Sequence, residues 1–121
     1  MRYTVGAIAL AVALGGTVTA AQAPPDPKLA DQGRRLYASY KCDQCHMING
    51  RGSKKGPLDG VATKLTPAEL RQWLTNPAEM EAKMDKPPQG TNSMANALKK
   101  KAIEPAEVDA LVAYMRTLTR R

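Results

Sequence analysis

The chain has few of the large side chains that usually fill a protein interior. It contains no Phe, one Trp and four Tyr among 121 residues. A domain of this size buries only about two-thirds of the surface that its unfolded chain exposes. An apolar core made from these residues alone would be thin, so we expect something else to fill the interior.

The sequence also lacks β-strand patterns, because no stretch alternates apolar and polar residues for long enough. Four stretches instead show helical spacing. A capping box of Thr66 and Glu69, with Pro67 at the first helical position, marks the start of the second. We therefore predict an all-α fold with helices over residues 27–40, 66–76, 77–84 and from Glu104 towards Thr119.

Charged residues are almost absent from the first 23 positions, where Arg2 is the only one. An apolar segment follows Arg2, and Ala21-Gln22-Ala23 forms a small-x-small site, as in secretory signal peptides. An uncleaved anchor helix is the alternative, since the uncharged run is nearly long enough to span a bilayer. We predict cleavage after Ala23 and a mature domain of residues 24–121 in the periplasm.

Acidic residues are outnumbered, so the full chain carries a net charge of +7, which becomes +6 without Arg2. This excess predicts an anionic partner. We do not expect nucleic acid as that partner, because the chain is predicted to be exported and has no basic stripe with interleaved aromatics. A membrane surface or an acidic protein face fits better.

Both cysteines and the only histidine lie in one pentapeptide, Cys42-Asp43-Gln44-Cys45-His46. This set is too small for a closed zinc site. A disulfide here would close a very tight ring, and a thioredoxin-like site needs a parallel sheet that the sequence does not predict. Cys-x-x-Cys-His is the attachment signal for c-type haem. The spacing brings both thiols and the imidazole to one side of a helical turn, and haem would supply the missing core.

The second axial ligand of the iron cannot be a histidine of this chain, because His46 is the only one. A methionine, a lysine or an open position remains. Met47 directly follows His46 and cannot reach the opposite face, and Met115 fits the core face of the last helix. The residues alone leave Met80, Met84 and Met94 as candidates.

From residue 24 onwards the chain resembles class I cytochromes c. This resemblance implies that short helices, three to five in number, wrap around one covalently bound haem. It also implies that the first and last helices cross at Gly33, near Tyr114. The matching residues are Gly33 and Tyr37 before the pentapeptide, Gly56-Pro57 after it, Trp73-Leu74-Thr75-Asn76-Pro77 in the middle and Tyr114 in the last helix.

The resemblance further implies roles for individual residues. Met94 follows a proline-containing loop shortly before the last helix, where the family brings in its methionine ligand. The Pro57 carbonyl would accept a hydrogen bond from His46, and Trp73 would stack near the haem, with plain core packing as the alternative for Trp73. The implied cofactor site is Cys42, Cys45, His46, Met94, Pro57 and Trp73, with His46 and Met94 on the iron.

In function, the resemblance implies a periplasmic electron carrier rather than an enzyme. We expect a monomer that moves single electrons between larger redox proteins, with acidic partners docking on lysines around the haem edge. These lysines are Lys54, Lys55, Lys86, Lys99, Lys100 and Lys101. The alternatives are a dedicated haem subunit of one dehydrogenase, or an open-iron protein that reacts with peroxide or a small gas.

Covalent attachment gives the first testable prediction. Haem should stay with the polypeptide through denaturation and acid–organic extraction, and release into the organic phase would disprove thioether linkage. Cys42→Ala or Cys45→Ala should lower the yield of holoprotein sharply, because the chain without haem lacks sufficient core. Absorbance of the extracted fractions measures both outcomes.

Overall fold

The computed structural model describes residues 23–120. The predicted signal peptide falls on residues 1–22, outside the described part of the chain, apart from Ala23 at the predicted cleavage site. Within residues 23–120, no helix has the length and apolar character needed to cross a membrane.

The described chain is mostly helical, which confirms the all-α prediction. Two turns of 3-10 helix, Cys42–Gln44 and Gly90–Asn92, and a two-stranded antiparallel hairpin complete its regular structure. The helices are α1 (Pro27–Ser39), α2 (Val61–Lys64), α3 (Pro67–Thr75), α4 (Pro77–Ala82), α5 (Met94–Leu98) and α6 (Pro105–Arg116); the strands are β1 (Met47–Ile48) and β2 (Arg51–Gly52).

The predicted start and stop signals of α3 are present. Thr66 Oγ1 accepts a hydrogen bond from the Glu69 amide at 3.2 Å, and Glu69 Oε2 accepts one from the Thr66 amide at 2.7 Å. This reciprocal capping satisfies amides that have no partner inside the helix. Asn76 ends α3, and Pro77 begins α4 at once, so the Asn-Pro pair separates two helices as the sequence predicts.

Helices α1 and α6 cross where Gly33 meets Ala110. A Cβ atom at Gly33 would lie 1.9 Å from the Ala110 carbonyl oxygen and 2.8 Å from the Tyr114 Cβ. Only a residue without a side chain allows this approach. The Tyr37 and Tyr114 rings then meet edge to face with centroids 5.8 Å apart. The crossing that the resemblance implied is therefore confirmed.

The protein core is small and centres on α6. Leu111 is the largest fully buried side chain among the described residues. Around it lie Tyr37, Ile48, Val61, Leu70, Val108, Val112 and Met115. Met115 is thus a core residue, as its place on the apolar face of the last helix predicted.

Three local features differ from the sequence expectation. The β1–β2 hairpin, with Asn49 at φ 51° and Gly50 at φ 75°, occurs where only a loop was expected. Asn-Gly favours such two-residue turns, because both residues tolerate positive φ. Helices α2 and α5 were also missed, since segments of four and five residues are too short to show a clear period. Helix α6 ends at Arg116 rather than near Thr119.

Candidate haem site

The two cysteines lie on a turn that follows directly from α1. Lys41 adopts a left-handed conformation (φ 54°, ψ 43°), which redirects the chain into the 3-10 turn Cys42–Gln44. A non-glycine residue in this region costs about 1–2 kcal/mol, and such strained positions gather at functional sites. Neither cysteine is in a disulfide; Cys42 is half-buried and Cys45 is exposed. Both thiols are therefore free to react.

The His46 ring is oriented by a backbone carbonyl. Its Nδ1 atom lies 3.0 Å from the Gly56 oxygen. The acceptor is thus one residue earlier than the Pro57 carbonyl that the resemblance implied, and that expectation is wrong. The reason is local pairing: the Gly56 oxygen also accepts the Met47 amide at 3.1 Å, which aligns it beside the imidazole, while Pro57 is exposed.

This hydrogen bond decides which nitrogen of His46 can bind a metal. A carbonyl oxygen can only accept, so Nδ1 carries the hydrogen and the Nε2 lone pair stays free. Burial lowers the pKa of His46 below its ordinary value, and the Gly56 carbonyl offsets part of that effect. The imidazole is therefore neutral near pH 7, and Nε2 is a ready iron ligand.

The hairpin packs against the turn that carries these residues. The Ser53 amide donates to the carbonyl oxygens of Asp43 and His46, each at 3.0 Å. A Cβ at Gly52 would lie 2.0 Å from the His46 oxygen, and one at Gly56 would lie 2.9 Å from His46 Nδ1. Two glycines thus let the chain wrap closely around the pentapeptide.

Lys101, which follows α5, connects this part of the chain to the residues just before the cysteine turn. Lys101 Nζ donates to the Tyr40 carbonyl at 2.6 Å, and Tyr40 Oη donates to Glu107 Oε2 at 2.7 Å. Burial raises the pKa of the Cys42 thiol, and the positive charge of Lys101 opposes this in smaller measure. Lys101 is half-buried and hydrogen-bonded to Tyr40. The other five lysines expected around the haem edge are exposed.

The structure distinguishes among the methionines. Met84 is 45% exposed just beyond α4, and Met115 is 8% exposed in the core. Met47 is in β1, next to His46 in the chain. Met80 on α4 and Met94 at the start of α5 are half-buried. Of the three candidates, Met84 is thus exposed, whereas Met80 and Met94 are half-buried.

Trp73 lies on α3 and is half-buried, but it is not among the side chains that pack against the core cluster. Its neighbour Leu74 does pack there. Leu74 also lines a cavity of about 480 Å³ bordered by α3, α4, α5 and the start of α6.

The residues present fit a covalently bound haem. Two free thiols, a neutral imidazole with an available Nε2 and a small apolar core occur together around one turn. Tyr37 Oη is the one buried side-chain oxygen without a hydrogen-bond partner in the described part of the chain. Burial is the main cause that raises the pKa of Tyr37, and the neighbouring Cys42 and Asp43 raise it further. The phenol therefore lies near the turn that carries the cysteines.

Comparison with known families agrees with this chemistry. The family model described as "Cytochrome c" matches residues 30–119, which includes every element from α1 to α6 except the first residues of α1. The chain belongs to the cytochrome c family. It is a class I c-type cytochrome, and it binds haem c covalently. No curated protein and no solved structure matches it.

The packing of Gly56 against His46 gives a second testable prediction. In Gly56→Ala the new methyl group would lie 2.5 Å from the Cys45 oxygen and 2.9 Å from His46 Nδ1. We expect it to turn the imidazole, to lower holoprotein yield and to shift the Soret band of what remains. Gly50→Ala is the control, since a Cβ there meets nothing within 4 Å although its φ of 75° is strained. Equal spectra for the two variants would contradict the proposed packing.

Proposed function

We propose that this cytochrome shuttles single electrons between larger redox proteins in the periplasm, with His46 and Met94 as the axial ligands of its haem iron. The observation that carries the proposal is the His46–Gly56 hydrogen bond, which keeps Nε2 available on a half-buried imidazole. When bound, the haem supplies a centre that accepts and releases one electron. Members of the cytochrome c family are usually haem-based electron carriers.

Met94 is the methionine best suited to complete the coordination. It is half-buried and follows the exposed segment 82–87 and a 3-10 turn, so it lies at the end of a loop that can reach across a haem. It is also the first residue of α5, whose backbone is held at Ser93 and Ala95. A ligand on a well-held backbone limits structural change when the iron changes charge, which favours rapid electron transfer.

Trp73 has a supporting role in this proposal. Because its indole is half-buried and does not pack on the core cluster, it can lie against the haem. An aromatic ring there adds apolar contact area to a site that has few other aromatics. Met80, half-buried on α4, can pack in the same way.

Partner recognition would use positive charge. Lys54, Lys55, Lys86, Lys99 and Lys100 are all exposed, and none of the ion pairs within residues 23–120 involves them. They lie in the segments on either side of the site: before Gly56, before Met94 and after α5. Free charges of one sign steer an oppositely charged partner during encounter, so we expect an acidic docking face on the electron donor or acceptor.

The predicted signal peptide supports export to the periplasm. As a carrier of electrons, the protein would need no small-molecule substrate. Residues 23–120 form one small domain, for which we propose a monomeric carrier. A dedicated haem subunit of one dehydrogenase would co-purify with that enzyme. An open iron would bind carbon monoxide readily, whereas an iron ligated by His46 and Met94 would bind it poorly.

Replacement of Met94 tests the ligation. Met94→Ala should abolish the long-wavelength sulfur-to-iron charge-transfer band of the ferric protein and lower the reduction potential, because a thioether favours ferrous iron. Met84→Ala, which removes an exposed side chain, should leave both nearly unchanged. Visible spectroscopy and potentiometry measure the outcome. If Met84→Ala lost the charge-transfer band and Met94→Ala kept it, Met84 rather than Met94 would be the ligand.

Charge reversal tests the docking surface. The double variant Lys99→Glu with Lys100→Glu should slow electron transfer to an acidic acceptor, by about tenfold or more at low salt, while the potential hardly changes. Added salt should slow the unmodified protein steeply. The control is Lys28→Glu with Lys64→Glu, which changes net charge equally at exposed positions on α1 and α2. If neither added salt nor either double variant changed the rate of electron transfer, steering by these lysines would be contradicted.

A further inference from the structure

Glu81, in the last turn of α4, is a carboxylate that the proposed electron-transfer role does not use. Its side chain is only 7% exposed. A buried carboxylate is costly unless hydrogen bonds or opposite charges compensate. None of the ion pairs within the described residues involves Glu81, so its compensation comes from neutral donors.

Two donors meet this carboxylate, and they belong to the residues on either side of Met94. Ser93 Oγ donates to Glu81 Oε2 at 2.9 Å, and the Ala95 amide donates to Glu81 Oε1 at 3.0 Å. Ser93 is itself 6% exposed. Each carboxylate oxygen therefore binds one neighbour of Met94, and hydrogen bonds to a carboxylate are stronger than those between neutral groups.

The same interaction orders the first turn of α5. Ser93 Oγ accepts the Asn96 amide at 3.2 Å while it donates to Glu81. Its hydroxyl hydrogen is thereby directed at the carboxylate, and its lone pair caps the helix. The backbone at Met94 is fixed from both sides, and the direction in which its side chain leaves α5 is fixed with it.

Within residues 23–120, no other hydrogen bond connects α4 to the residues around Met94, although Gly90 of the intervening loop accepts the Ser93 amide at 3.2 Å. Among the described residues, the remaining hydrogen bonds of residues 83–92 are local, such as Asn92 to Gln89 at 3.1 Å and Asn96 to Gly90 at 3.2 Å. Residues 82–87 are all exposed. In the part of the chain that the structure describes, Glu81 is thus the one side chain whose hydrogen bonds connect α4 directly to the residues around Met94.

We propose that Glu81 is a positioning residue that holds Met94 in place for iron ligation. This inference rests on the proposed ligation by Met94, and it adds the residue that keeps the thioether from dissociating. Loss of the carboxylate would raise the fraction of molecules in which Met94 has left the iron. The apparent affinity for an external ligand rises in proportion to that fraction.

The test measures imidazole binding to the ferric holoprotein at pH 7, together with the charge-transfer band. Glu81→Ala should bind imidazole at least about tenfold more tightly and show a weaker band. Glu81→Gln keeps the shape and can still accept the Ala95 hydrogen bond, so it should recover much of the original affinity. Glu79→Gln is the matched control, since Glu79 is exposed on the same helix and should change neither quantity.

The outcomes separate this inference from the ligation on which it rests. If Met94→Ala leaves the charge-transfer band intact, the ligation by Met94 is wrong. If Met94→Ala abolishes the band but Glu81→Ala changes neither the band nor imidazole affinity, the positioning role alone is wrong. Should Glu81→Ala fail to yield holoprotein, Ser93→Ala decides, because it removes one donor and the cap and should raise imidazole affinity. A lower melting temperature with unchanged imidazole affinity would show a merely structural carboxylate.

Discussion

The close approach of α1 and α6 at Gly33 is the contact on which the rest of the site depends. A single methyl group would not fit there, since it would lie 1.9 Å from the Ala110 oxygen. Because α1 runs directly into Lys41 and the cysteine turn, the position of α1 against α6 sets where the thiols lie. The bonds from Tyr40 to Glu107 and from Lys101 to Tyr40 repeat this connection nearer the site.

Around the pentapeptide, backbone carbonyls rather than charged side chains provide most of the organisation. The Gly56 oxygen serves both the His46 ring and the Met47 amide, and the Ser53 amide binds two carbonyls of the turn. The carbonyl acceptors in these bonds do not titrate. They also leave the imidazole neutral and its Nε2 free, as an iron ligand must be.

The segment that carries the proposed ligand Met94 is organised differently. There a buried carboxylate connects α4 to α5 across a loop whose own hydrogen bonds, among the described residues, are local. A buried charge without a cation is costly, and its two donors come from the neighbours of the proposed ligand. The two proposed iron ligands, His46 and Met94, would thus be held by independent interactions, with Lys101, which follows α5, as a further attachment.

The sequence by itself determined the elements whose signals are local. The pentapeptide identified the cofactor, the capping box of Thr66 and Glu69 set the start of α3, and the Asn76-Pro77 pair separated α3 from α4. The resemblance carried by Gly33 and Tyr114 located the helix crossing. Each of these depends on residues close in the chain, or on a backbone approach that only glycine allows.

Tertiary structure decided what depends on contacts between distant segments. It assigned the His46 hydrogen bond to Gly56 rather than Pro57, because pairing with Met47 aligns that carbonyl. It also removed Lys101 from the free charges and buried Glu81 beside Ser93. No sequence pattern predicts these contacts, since the sequence does not distinguish an exposed carboxylate from a buried one. The Glu81–Ser93 contact joins residues 12 positions apart in the chain, and only the fold brings them together.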